Sequence, residues 1–185
     1  MSHTKGITQG HNTSAEEEER TYRAVAHVPA GQGTRSLWVM GELLTHKIPD
    51  QRTGGAYSLF EMATEPGAGP PPHVNHREDE SFYVLEGEYE FLIEGIIIRA
   101  RVGSLIYVPK GTLHAHNGVG EGVGRMLVTQ TPGGLYERFF EELGKVADVD
   151  DAEPPVFEEQ ADAESIVATA AKYGIEIPPP YPKVP

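Results

Sequence analysis

No cysteine occurs in the 185 residues of the chain, so disulfides, thiolate zinc sites and cysteine nucleophiles are excluded. Any metal site must be built from nitrogen and oxygen donors. Positive charge is also scarce: 15 Lys and Arg stand against 28 Asp and Glu, a formal charge of -13. Such a surface repels polyphosphate and anionic headgroups, which argues against nucleic-acid and membrane partners and for a small molecule. No apolar run is long enough for a membrane span, and the first residues are polar rather than signal-like, so a cytoplasmic protein is the default expectation. Phosphate-binding glycine loops, G-x-S-x-G elbows, H-E-x-x-H helices and basic aromatic stripes are missing as well.

What is present suits one domain with extensions, since 38% hydrophobic residues suffice for a single core. Residues 1–34 are expected to form an N-terminal arm, its first 20 polar and without apolar periodicity. Residues 35–132 read as an all-β barrel: short apolar runs at 37–44, 56–63, 81–86, 89–93, 96–100, 104–108, 113–116 and 125–130 alternate with turn residues. Glu86-Gly87-Glu88 and Glu94-Gly95 are expected to close antiparallel hairpins, and Pro70 to Pro72 to stiffen a strand entrance. Residues 133–185 read as helices packed outside the barrel plus an extended tail. Leu135 to Leu143 and Asp162 to Tyr173 have helical spacing with Gly144 and Gly174 as stops, and Asp148 to Pro155 is an acidic linker.

The chemistry concentrates between residues 67 and 118. Strand alternation turns His73 and Asn75 to one side, and His114 and His116 likewise, so each pair can point into the barrel. His76 falls in the opposite phase and reads as a surface residue. Glu78 and Asp79 read as a solvated charged turn, offset by Arg77. Phe82 and Val84 share the phase of Glu80 and are expected to line a substrate pocket with His116; Tyr57, Phe60 and Met62 are further candidates without a fixed phase. Several inward polar groups in one barrel are costly unless a metal, water or ligand satisfies them.

Gly67, His73, Asn75, Glu80 and Gly87, then Gly103, Pro109, Gly111 and His114, stand at the offsets of the two signature motifs of the cupin superfamily, which the chain resembles. Asn75 occupies the place of one motif histidine, and Gly118 that of the final asparagine. Thr131 to Gly144 looks like the segment that follows the barrel in small quercetinase-type cupins. The resemblance implies a double-stranded β-helix (jelly-roll) barrel, pairing as a homodimer, and a divalent metal (Fe, Ni, Co, Mn or Zn) held by His73, Glu80 and His114. Asn75 would be a weak or substituted fourth ligand. His116 is a further ligand candidate, two residues along its strand from His114. The implied activity is that of a metal-dependent dioxygenase acting on a flavonol or similar enolisable aromatic, with Glu80 accepting the substrate hydroxyl proton. The alternative is a metal-free or non-catalytic cupin that binds a small molecule.

Overall fold

The computed structural model describes residues 25–147 and 163–179. The acidic linker 148–155, the tail beyond 179 and most of the arm expected over 1–34 lie outside the described residues.

Two antiparallel sheets face one another. The first runs in the order β11, β1, β2, β3, β10, β5, β8, built from Lys145–Val146, Arg35–Val39, Glu42–Ile48, Ser58–Thr64, Gly124–Thr131, Asp79–Glu86 and Leu105–Val108. The second runs β12, β4, β9, β6, β7, built from Ile175–Glu176, His73–Asn75, Leu113–Val119, Glu88–Ile93 and Ile96–Arg101. Their inward faces bury Leu44, Phe60, Phe82, Val84, Tyr89, Phe91, Met126 and Val128, the apolar positions of strands that alternate in and out. This is the all-β jelly-roll barrel expected of the sequence. Among the described residues no helix is long and apolar enough to cross a membrane.

The turns divide into those read correctly and those not. Glu94 and Gly95 both have positive φ, 47° and 83°, and close the β6–β7 hairpin between Ile93 and Ile96. The run 37–44 is two strands rather than one: Met40 and Gly41, also at positive φ, reverse the chain between Val39 and Glu42. Glu86-Gly87-Glu88 closes no hairpin. β5 pairs with β10 and β8 while β6 pairs with β7 and β9, so Gly87 is the corner where the chain passes from one sheet to the other. A Cβ on Gly87 would lie 2.9 Å from the Gly124 Cα, so this corner tolerates only glycine.

The C-terminal segment does more than pack outside. A short helix, α1 (Asp50–Thr53), precedes the barrel's third strand, and two longer ones follow the barrel: α2 (Leu135–Leu143) and α3 (Ala163–Lys172). β11 extends the edge of the first sheet through Leu37 and Trp38, and β12 extends the second through Asn75 and Val74. The apolar stripe of α2, Tyr136, Phe139 and Phe140, is buried against the mouth of the barrel, where Phe140 meets Phe60 edge to face at 5.6 Å.

Candidate metal centre

The three-residue strand β4 carries the first two site residues. Pro70 to Pro72 bring the chain to it with few free backbone donors, and Gly69, at φ 149°, passes so close to β9 that a Cβ would sit 2.0 Å from the His116 carbonyl oxygen. β4 and β9 pair in a register that sets His73 directly opposite His114. The two signature segments are tied again where the Gly111 N–H donates to the Asn75 carbonyl at 2.7 Å. Glu80 enters from the other sheet on β5, opposite Gln130 of β10.

Both histidines are oriented by their own strands. His73 Nδ1 donates to the Pro71 carbonyl at 2.9 Å, and His114 Nδ1 to the Thr112 carbonyl at 3.0 Å. Each ring therefore presents Nε2 to the cluster; His73 does so as the neutral Nδ1–H tautomer, whereas His114, with both nitrogens on acceptors, is the imidazolium partner of Glu80 and would give up its Nε2 proton to ligate an ion. His73, Glu80 and His114 are buried, and one ligand atom from each lies within 4.8 Å of the others. Glu80 is held by three donors: His114 Nε2 at 2.7 Å and Asn75 Nδ2 at 2.6 Å on Oε2, and Gln130 Nε2 at 2.9 Å on Oε1.

Charge follows this geometry. Burial pushes the Glu80 carboxyl up, but the hydrogen bond and charge of His114, with His73 and Gln130, outweigh it and hold the group below its ordinary value. His114 moves the opposite way: burial lowers it, and the bond to Glu80 more than restores it. Burial and the neighbouring His114 depress His73 to about 4, which keeps its Nε2 unprotonated.

Two features were not legible in the sequence. Tyr136, from α2, places its hydroxyl 2.9 Å from His73 Nε2, and since His73 Nδ1 carries the ring proton, the phenol donates. Burial, with the charge of Glu80, raises Tyr136 well above the ordinary tyrosine value. Glu78 is not solvated but only 2% exposed, and it accepts the backbone N–H groups of Leu135 and Tyr136 at 3.1 and 3.2 Å. It thus holds the first turn of α2 and, with it, Tyr136. The phenol's only signal was its place in the segment after the barrel.

The remaining expected residues divide. Asn75 is buried; its amide nitrogen is used on Glu80, and its Oδ1 has no hydrogen-bond partner. His116 is buried in the same cavity, but its Nε2 bonds Glu42 Oε1 at 3.0 Å, an oxygen that also accepts from Thr64 at 2.7 Å. Phe82 and Met62 line the cavity, Val84 and Phe60 belong to the apolar core, and Tyr57 is exposed. His76 is at the surface, bonded to Glu176. The cavity opens to solvent and is walled by Met40, Met62, Pro70, Phe82, Phe139, Phe140 and Ile177, with Glu42, His73, Glu80, His116 and Tyr136 as its ionisable groups.

The donor set fits a divalent ion. Two imidazole nitrogens tied back to carbonyls, a carboxylate and a buried amide oxygen without a partner match the nitrogen and oxygen donors that first-row metals accept.

Residues 60–130 match the cupin domain model. Over 116 residues, 62% of its length, the chain is 30% identical to quercetin 2,3-dioxygenase of Bacillus subtilis, and it spans only 33% of that protein. Among solved structures it resembles a predicted oxalate decarboxylase of Thermotoga maritima, at 18% identity and a TM-score of 0.54, over 58% of this chain and 99% of the other. The latter likeness shows the fold.

Proposed function

The chain carries a cupin domain, and we propose that it is a metal-dependent oxidoreductase of the quercetinase-like dioxygenase kind, acting on a flavonol or a similar enolisable aromatic. The observation that carries this reading is the buried His73, Glu80 and His114 cluster at the wall of a mainly apolar cavity. The likeness to quercetin 2,3-dioxygenase supports it over the shared third of that protein.

A divalent ion held by His73, Glu80 and His114 would supply a Lewis acid and a redox-active centre. The protein's own part is positional. Phe82, Phe139 and Phe140 receive a flat apolar ring and exclude water from it. Glu80, kept as a carboxylate by its three donors, accepts the proton of an enolic hydroxyl, and His114 keeps its Oε2 oriented. Metal analysis of the purified protein, followed by oxygen uptake with a flavonol panel, tests the proposal. A metal-loaded protein that neither consumes oxygen nor perturbs flavonol spectra refutes it.

One observation favours a second reading, a metal-free binding pocket. His114 and Asn75 satisfy Glu80, and Tyr136 satisfies His73, without an ion. Small-molecule binding that survives chelation would support that reading over the first.

A homodimer belongs to the same proposal. β7 and β8 are the edges of the two sheets and are joined by the turn at 102–104. On and beside them Tyr83, Leu85, Ile96, Ile97, Ile98, Val102, Leu105 and Tyr107 are exposed. A second copy of the chain is the occupant we assign to this surface.

A further inference from the structure

We propose that the phenol oxygen of Tyr136 is a protein donor to the metal, taking the place that an imidazole at position 75 would have filled. The inference rests on the metal-binding reading above and adds a residue from outside the cupin motifs.

The distances carry it. Two donors about 2.1 Å from one ion and at right angles to each other lie ~3.0 Å apart. The Tyr136 oxygen is 2.9 Å from His73 Nε2, and His114 Nε2 is 2.7 Å from Glu80 Oε2. Both contacts are hydrogen bonds in the structure, and both have the length of an edge between neighbouring donors around one ion. Gln130 and Glu42 are otherwise engaged: Gln130 bonds the outer Glu80 oxygen, and Glu42, which lines the same cavity, bonds His116 and Thr64.

Position 75 explains why a tyrosine is needed. The Asn75 amide is a weaker donor than imidazole, and its Nδ2 is already spent on Glu80 at 2.6 Å. Asn75 thus orients the carboxylate, and the phenol is oriented by His73. Tyr136 is in turn fixed by its helix, whose first N–H groups are held by Glu78, two residues from Glu80. A phenol brought this far by a dedicated helix, and buried beside His73, is a built feature of the site.

On coordination the O–H bond breaks, the proton leaves to solvent and an oxygen lone pair forms the bond to the ion, with no change of oxidation state. The resulting set, two nitrogens and two oxygens, is harder than one with three imidazoles and favours a ferric ion more than the three-imidazole set does.

Ferric ion is the probe. Titrated into the metal-free full-length protein, it should produce the visible charge-transfer band of an iron–phenolate bond, and competition with a chelator gives the affinity. Tyr136→Phe should abolish the band and weaken binding on the order of 10- to 100-fold, while circular dichroism and melting temperature report that it stays folded. The double variant Tyr136→Phe with Asn75→His should recover affinity without the band. Wild-type protein that binds ferric ion without the band, or Tyr136→Phe that keeps wild-type affinity, overturns the role of Tyr136 and leaves the metal centre standing. Wild-type protein that binds neither ferric ion nor any divalent metal overturns both.

Discussion

Asn75 donates its amide to Glu80 Oε2 at 2.6 Å, so the residue standing in a ligand position is hydrogen-bonded to a ligand. An amide there stabilises the carboxylate but adds no strong donor to an ion. Asn75→His should therefore raise metal affinity by about tenfold or more, read as metal retained per chain after dialysis against a weak chelator. Asn75→Ala removes the hydrogen bond without adding a donor, and its metal content should not exceed that of the unmodified protein.

Glu78 links the barrel to the helix that carries Tyr136. Its carboxylate accepts two backbone N–H groups at the start of α2, and both would be left without partners in Glu78→Ala. The expected cost is on the order of 2 kcal/mol, seen as a lower denaturation midpoint with unchanged slope. Glu78→Gln keeps one acceptor oxygen and should lose about half as much. Equal losses for the two variants would mean that the bonds to α2 are not what Glu78 contributes.

These residues also mark where the sequence stops being legible. His73, Glu80 and His114 stand at fixed offsets in paired strands, and period-two alternation predicts that they point inward together. Glu78 shares the inward phase of Glu80 and Phe82 only if the strand continues through it. It precedes β5 and is buried by a helix more than 50 residues later, a partner that local pattern cannot announce. Tyr136 and Ile175 reach the cavity by the same long-range route. Gly87 was misread for a related reason: a glycine between two strand patterns marks a reversal or a corner equally well, and only the pairing of β5 with β10 and β8 decides. Met40 gave no turn signal because methionine rarely takes positive φ.

The exposed β7 and β8 edges should be a contact between two copies. Leu105 and Tyr107 lie on the outer face of β8, with Tyr83 directly across from Leu105 on β5. Sedimentation at micromolar concentration should give a dimer for the unmodified chain and a monomer for Leu105→Glu combined with Tyr107→Glu. A monomer in both cases removes the interface. In that event, a dimer appearing only when residues 1–24 are deleted would assign the surface to the chain's own N-terminal segment.

His46 gives the fold a pH dependence separable from the metal centre. It is buried on β2 with Phe60 edge-on at 4.6 Å, and its Nε2 has no hydrogen-bond partner. Burial lowers its pKa to about 4, with Glu141 raising and Arg35 lowering it to a smaller extent. The folded state therefore prefers the neutral ring. Above about pH 6.5 the ring is neutral in both states and costs nothing; as pH falls from there toward 4, the unfolded chain takes up a proton that the folded one refuses, and stability is lost. The loss should reach up to about 3 kcal/mol by pH 4, less whatever water reaches the ring. In melting temperatures measured from pH 7 to 4, the unmodified protein should fall more steeply with acid than His46→Leu. Parallel curves would show that His46 is protonated in the folded state with no penalty.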